Sequence, residues 1–117
     1  MTAVVLDGKE IAREIEEELR RRINDLSKNG VTPCLAVVIV GDDPASHVYV
    51  GAKERACARL GIRSVRVDVA YNADYEEVVS TVKSLNEDPE INGVLVQSPL
   101  PSGMYEISIT DLIDPIK

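Results

Sequence analysis

A chain of 117 residues that is 44% apolar fits one domain with a single core, and with four Tyr and no Phe or Trp that core must be built from Val, Ile, Leu and Ala. Thirteen Lys and Arg against twenty Asp and Glu leave a net charge of -7, which argues against general binding to nucleic acid or to an anionic membrane. No apolar run approaches the ~20 residues of a membrane span. Nothing resembles a signal peptide, and Cys34 and Cys57 stand in no CxxC or His-paired spacing, so the chain reads as cytoplasmic, with free thiols and no metal site.

Taken in order, Ile11, Ile15, Leu19, Ile23 and Leu26 recur at helical spacing between Asp7 and Asn29, and Gly30 is a stop signal. CLAVVIVG then forms an unbroken apolar run of strand length, the pattern of a parallel strand covered on both faces. Helical spacing resumes from Pro44 to Leu60. IRSVRVDV alternates imperfectly and predicts a less buried strand near an edge, Tyr75 to Leu85 predicts a second covering helix capped by Asp74, and INGVLVQ predicts another short buried strand. SPLPSG cannot be regular structure, because Pro99 and Pro101 each fix a backbone angle and lack a donor; a short helix is expected within Met104 to Ile113. Strands alternating with helices of this length make parallel crossovers, so the expected fold is α/β: a three-layer helix-sheet-helix sandwich around a mainly parallel sheet.

In open parallel sheets ligands bind beyond the carboxyl ends of the strands. Three features of this sequence arrive there: the turn GDDPAS, where Asp43 can cap the next helix and Pro44 opens it; Tyr49 with Lys53, an i, i+4 pair on one face of that helix; and Gln97, which ends the apolar GVLV run before SPLP. Each has an ordinary structural explanation as a capped helix start, a boundary aromatic with a solvated cation, and a strand end. His47 has no carboxylate or thiol partner placed by the sequence and reads as a surface residue. Convergence at one sheet edge favours function. A partly desolvated lysine beside a substrate cation exchanges protons near neutral pH, and a tyrosine hydroxyl and a glutamine amide orient it without adding charge. GxxxxGK and GxSxG motifs are absent.

The two blocks VGDDPASHVYVGAKERACARLGI and INGVLVQSPLPSG, in that order, resemble the N-terminal domain of the bifunctional methylenetetrahydrofolate dehydrogenase/methenyltetrahydrofolate cyclohydrolase family, and LDGKEIAREI and LIDPIK extend the likeness over almost the whole chain. The resemblance implies an oxidoreductase and hydrolase of one-carbon metabolism and purine biosynthesis. Such an enzyme oxidises 5,10-methylenetetrahydrofolate with NADP and hydrolyses the methenyl product to 10-formyltetrahydrofolate, in the full-length case as a homodimer. It assigns Lys53 as the catalytic lysine, Tyr49 as the tyrosine beside the folate, Gln97 as the glutamine bonded to the lysine, Ser46 as support from the PAS turn, and Pro99 and Leu100 as the wall along the aminobenzoyl group.

Two departures stand out. Ser98 occupies the position of Leu in the VQLPLP form of the motif, and the sequence has neither a GxGxxG nucleotide loop nor the DVDG that follows the family's PxK, whose first Asp binds the pterin. Residues 1–117 are therefore expected to be a folate-holding catalytic domain ending at the hinge to an NADP domain, lacking dehydrogenase activity alone. Two alternatives are a non-catalytic α/β binding or assembly module and the substrate domain of a related dehydrogenase with a non-folate ligand. The codons after Lys117 discriminate, because DVDG and a Gly-rich loop favour the enzyme and a stop favours the module.

Overall fold

The computed structural model describes residues 2–117. Seven elements follow in the order α1 (Gly8–Lys28), β1 (Cys34–Val40), α2 (Pro44–Leu60), β2 (Arg63–Val69), α3 (Tyr75–Glu87), β3 (Gly93–Val96) and α4 (Glu106–Thr110). The strands form one parallel sheet in the order β2-β1-β3. β1 is central, as its continuous apolar run requires. Val37 and Ile39 turn to one face, where Val50 of α2 covers them. Val38 and Val40 turn to the other and meet Val78 and Val82 of α3 and Ile109 of α4. Burying residues from both faces of one strand gives the expected three layers.

The expectation that INGVLVQ forms a short buried strand is corrected in its burial: β3 is only half covered, because it lies at the sheet edge opposite β2 with β1 as its partner. An apolar run records how much of each face is covered, and does not record how many neighbouring strands there are. β2, with Arg63, Ser64, Arg66 and Asp68 exposed, is the other edge, as its alternation indicated.

Helix ends follow local chemistry. The Asp7, Asp43 and Asp74 carboxylates accept from amides in the first turns of α1, α2 and α3. α2 ends at Gly61 with φ 86, and a Cβ there would lie 3.2 Å from Ile23 Cγ2 of α1, so this glycine serves both a left-handed cap and a close helix crossing. Ile23 is the buried residue of α1, whereas Ile11 and Ile15 are 48% and 53% exposed, so the amphipathic stripe read from the sequence is largely uncovered. After α4 the chain returns along α3, where Asn86 Nδ2 donates to Leu112 O at 2.7 Å and its Oδ1 accepts from Asp114 N at 2.9 Å. Lys117 Nζ donates to Asp88 O at 2.7 Å and to Ile91 O.

Candidate functional site

The site grows from the junction of β1 and α2. Gly41, with φ 91, turns the chain out of β1 and its amide still donates to Val69 O at 2.9 Å. Asp43 then caps α2 by accepting from Ser46 N at 3.0 Å, and Pro44 opens the helix where no donor is needed. These steps fix the rotation of α2. Ser46 points inward at 2% exposure, and Tyr49 and Lys53, one turn apart, stand toward the end of β3.

Gln97 extends the ladder beyond β3, its amide donating to Val38 O at 2.9 Å. Its side chain bridges two groups: Oε1 accepts from Lys53 Nζ at 3.0 Å, and Nε2 donates to Ser98 O at 3.1 Å. Ser46 Oγ donates to the same Ser98 carbonyl, also at 3.1 Å. The Lys53 ammonium lies 5.9 Å from the centroid of the Tyr49 ring, within range of an attraction to its π face. Tyr49 is 58% exposed, leaving most of its ring free to meet a ligand.

Lys53, Tyr49, Gln97 and Ser46, singled out from sequence, thus form one connected group. Pro99 and Leu100 lie further along the loop, after a cis Ser98–Pro99 bond, and line a cavity of about 340 Å³ with Val40, Gly41, Asp42, Asp43 and Tyr71. Lys53 borders a different, mostly apolar cavity of about 420 Å³ between α2 and the exposed edge of β3, with Leu35, Ala56, Cys57, Leu95 and Lys117 among its lining. The SPLP loop borders the first hollow and contributes no lining residue to the second. His47 faces the Arg66 guanidinium, which also engages Asp68 and Glu54, and hydrogen bonding to Asp68 raises the Arg66 pKa above its ordinary value.

Sequence reasoning missed Glu106. Its carboxylate accepts from Ser98 Oγ at 3.1 Å and from Leu100 N at 3.4 Å, holding the loop on either side of Pro99. The signal for it was Ser98 itself, a donor in a motif position where leucine was the comparison.

The β1–α2 turn does not fit a dinucleotide. Asp43 occupies the Ser46 amide at the helix start and Asp42 adds a second carboxylate, so a pyrophosphate would meet negative charge where it needs free amides. Among the described residues no cluster of three or more His, Cys, Asp or Glu could hold a metal ion, and no helix is long and apolar enough to cross a membrane.

The chain matches the family model for the tetrahydrofolate dehydrogenase/cyclohydrolase catalytic domain over residues 6–117. Among curated proteins, it is 46% identical over its whole length to the bifunctional protein FolD of Acetivibrio thermocellus. Among solved structures, the FolD methylenetetrahydrofolate dehydrogenase/cyclohydrolase of Campylobacter jejuni superposes with a TM-score of 0.93 at 38% identity, covering 97% of this chain. The Trypanosoma brucei enzyme, solved with NADP and an inhibitor, superposes with a TM-score of 0.86 at 32% identity over 98% of this chain. The chain spans about two fifths of these relatives' length: 41% of the Acetivibrio protein and 40% of each of the two solved chains. By sequence and by fold, this chain belongs to the tetrahydrofolate dehydrogenase/cyclohydrolase family and corresponds to its catalytic domain.

Proposed function

We propose that this chain binds a tetrahydrofolate one-carbon adduct against Tyr49 and uses Lys53 as the proton-transfer group in hydrolysis of 5,10-methenyltetrahydrofolate to 10-formyltetrahydrofolate. The observation that carries the reading is the 3.0 Å bond from Lys53 Nζ to the neutral Gln97 amide at the carboxyl edge of the sheet. A carboxylate there would hold the ammonium by charge, whereas an amide fixes its position and leaves it free to exchange a proton. Tyr49, with its exposed ring one helical turn away, supplies a stacking face for a flat heteroaromatic or aminobenzoyl group.

In this reaction water adds to the cationic methenyl carbon and gives up a proton to the lysine amine. The bond from that carbon to one ring nitrogen then breaks, the nitrogen takes a proton from the lysine ammonium, the added hydroxyl gives its proton to solvent, and the carbon stays on the other nitrogen as a formyl group. Cation and water become neutral formyl product and one proton in solution. Lys53 carries the proton between the two steps, Gln97 holds its Nζ, and Ser46 supports Gln97 through the Ser98 carbonyl.

Oxidation of 5,10-methylenetetrahydrofolate with NADP belongs to the same proposal at the level of the whole enzyme. Since the β1–α2 turn does not fit a dinucleotide, NADP would be held outside these residues. A cytoplasmic homodimer that supplies formyl groups to purine biosynthesis completes the reading, and the net charge of -7 agrees with a protein free of nucleic acid and membrane surfaces.

The test is an amide-NMR titration of this chain with a stable folate analogue, paired with single-turnover hydrolysis of methenyltetrahydrofolate at excess protein. Saturable shifts centred on Tyr49, Lys53 and Gln97, and a hydrolysis rate lowered roughly 10²- to 10⁴-fold in Lys53→Ala, are expected. A folded chain whose saturable shifts lie elsewhere, or a Lys53→Ala variant that hydrolyses at the parent rate, would overturn the assignment.

A further inference from the structure

We propose that Glu106, acting through Ser98, is a positioning residue that sets which end of the Gln97 amide Lys53 meets. The inference rests on the reading of Lys53 and Gln97 as the working pair, but its geometry stands apart from the identity of the ligand. The loop from Ser98 to Pro101 contains two prolines without N–H groups, so little backbone hydrogen bonding is available to hold it. Glu106, in the first turn of α4, takes up two of the loop's donors: one carboxylate oxygen accepts from Leu100 N and the other from Ser98 Oγ.

Ser98 is the node of the site. Its carbonyl accepts from Ser46 Oγ and from Gln97 Nε2, both at 3.1 Å, while its hydroxyl donates to Glu106. A carbonyl oxygen has no proton to give, so the end of the Gln97 amide that faces it must be the NH₂ end. The carbonyl end is then left facing Lys53, where it accepts from the ammonium at 3.0 Å. Were the Ser98 peptide to rotate, the amide could turn over and present its NH₂ to the lysine, two donors in opposition. Buried Ser46 restrains the peptide from the core side, and Glu106 restrains it from the loop side. A leucine at position 98 has no hydroxyl and could not take part in this clamp.

The test uses Glu106→Ala and Ser98→Ala in this chain; the second removes a single oxygen from an exposed residue and covers the case in which the first perturbs folding. In unliganded protein, both variants are expected to shift the Gln97 side-chain amide resonances and to raise their solvent exchange rate three- to tenfold, with the α3 amides unchanged. In single-turnover hydrolysis, both are expected to lower the rate three- to tenfold while affinity for a folate analogue stays within twofold. Glu106→Gln, which keeps one acceptor, should recover part of that loss. Combined with Gln97→Met, Glu106→Ala should add no further loss, because its effect passes through Gln97. Unchanged Gln97 side-chain signals in both variants, or losses that multiply with Gln97→Met, would overturn the clamp. Shifted Gln97 signals in a chain that binds no folate analogue would uphold the clamp and overturn the folate reading instead.

Discussion

Replacing Gln97 by a glutamate separates the two things the amide does for Lys53, which are to position it and to leave its charge uncompensated. A carboxylate 3.0 Å from Nζ would attract the ammonium by about 1.4 kcal/mol in a water-like medium and by about 5.5 kcal/mol at an effective dielectric of 20. Both side chains are half-buried, and solvent screening favours the lower end, so about 1.4 to 3 kcal/mol is expected, or roughly 10- to 150-fold in favour of the protonated amine. The carboxylate also loses the NH₂ that serves Ser98 O. Methenyltetrahydrofolate hydrolysis at neutral pH should therefore fall by about that factor and recover as pH rises, because more alkaline solution is needed to take the proton from the paired lysine. Gln97→Met, of similar length and without charge, should lower the rate through lost positioning and leave the shape of the pH profile unchanged. The assay is single-turnover hydrolysis across pH for both variants beside the parent. A Gln97→Glu variant within threefold of the parent throughout the neutral range would refute the claim that a neutral partner is required.

Further expectations rest on other parts of the fold. Gly61→Ala forces a side chain into φ 86 and within 3.2 Å of Ile23 Cγ2, and should cost about 1 to 2 kcal/mol in urea denaturation; a loss below about 0.3 kcal/mol would mean that α1 and α2 shift apart freely. Cys34 and Cys57 are both buried, and burial raises the Cys57 pKa, so both thiols should react with Ellman's reagent at least tenfold more slowly in the folded chain than in urea. Because the unfolded thiol ionises first, this group's contribution to stability is fully present below the unfolded value and is lost as pH rises into the alkaline range; denaturation midpoints from about pH 7 to 10 give the sign. Ile11→Lys and Ile15→Lys, on the exposed stripe of α1, should change stability by less than about 0.5 kcal/mol while reducing any self-association seen by sedimentation.

Much of this architecture was legible in the residues because it is locally encoded. α2 runs from Pro44 to Leu60 as its spacing and cap predicted, and α1 is bounded by Asp7 and Asn29 because a capping carboxylate and a following glycine act over one turn. The place of β3 was not legible. GVLV is as apolar as a central strand, and only the sheet order shows that one of its edges is open. The uncovered stripe of α1 is the same kind of case, since periodicity marks a face without saying what lies against it. At the site, i, i+4 spacing placed Tyr49 and Lys53 on one helix face, and it was their convergence with Gln97 at one sheet edge that singled them out. Glu106 was not, because it reaches Ser98 across an irregular proline loop whose path no periodicity describes.

The distribution of carboxylates explains how a chain with seven surplus negative charges keeps a lysine beside a neutral partner. Three acidic residues lie near the pair in sequence or space, and each is engaged elsewhere: Asp43 with the Ser46 amide, Glu54 with the Arg66 guanidinium, and Glu106 with Ser98 and Leu100. Among the described residues Lys53 makes no ion pair. If any of these carboxylates reached Nζ, Coulomb attraction would favour the protonated amine, as in the Gln97→Glu variant. The cap, the arginine and the loop clamp each hold a carboxylate on another partner, and the group that Lys53 Nζ meets is the neutral amide of Gln97. In Ser98→Ala, Glu106 keeps the Leu100 amide and loses the Ser98 hydroxyl; were its carboxylate then to pair with Lys53, the hydrolysis profile would move to higher pH, as in Gln97→Glu.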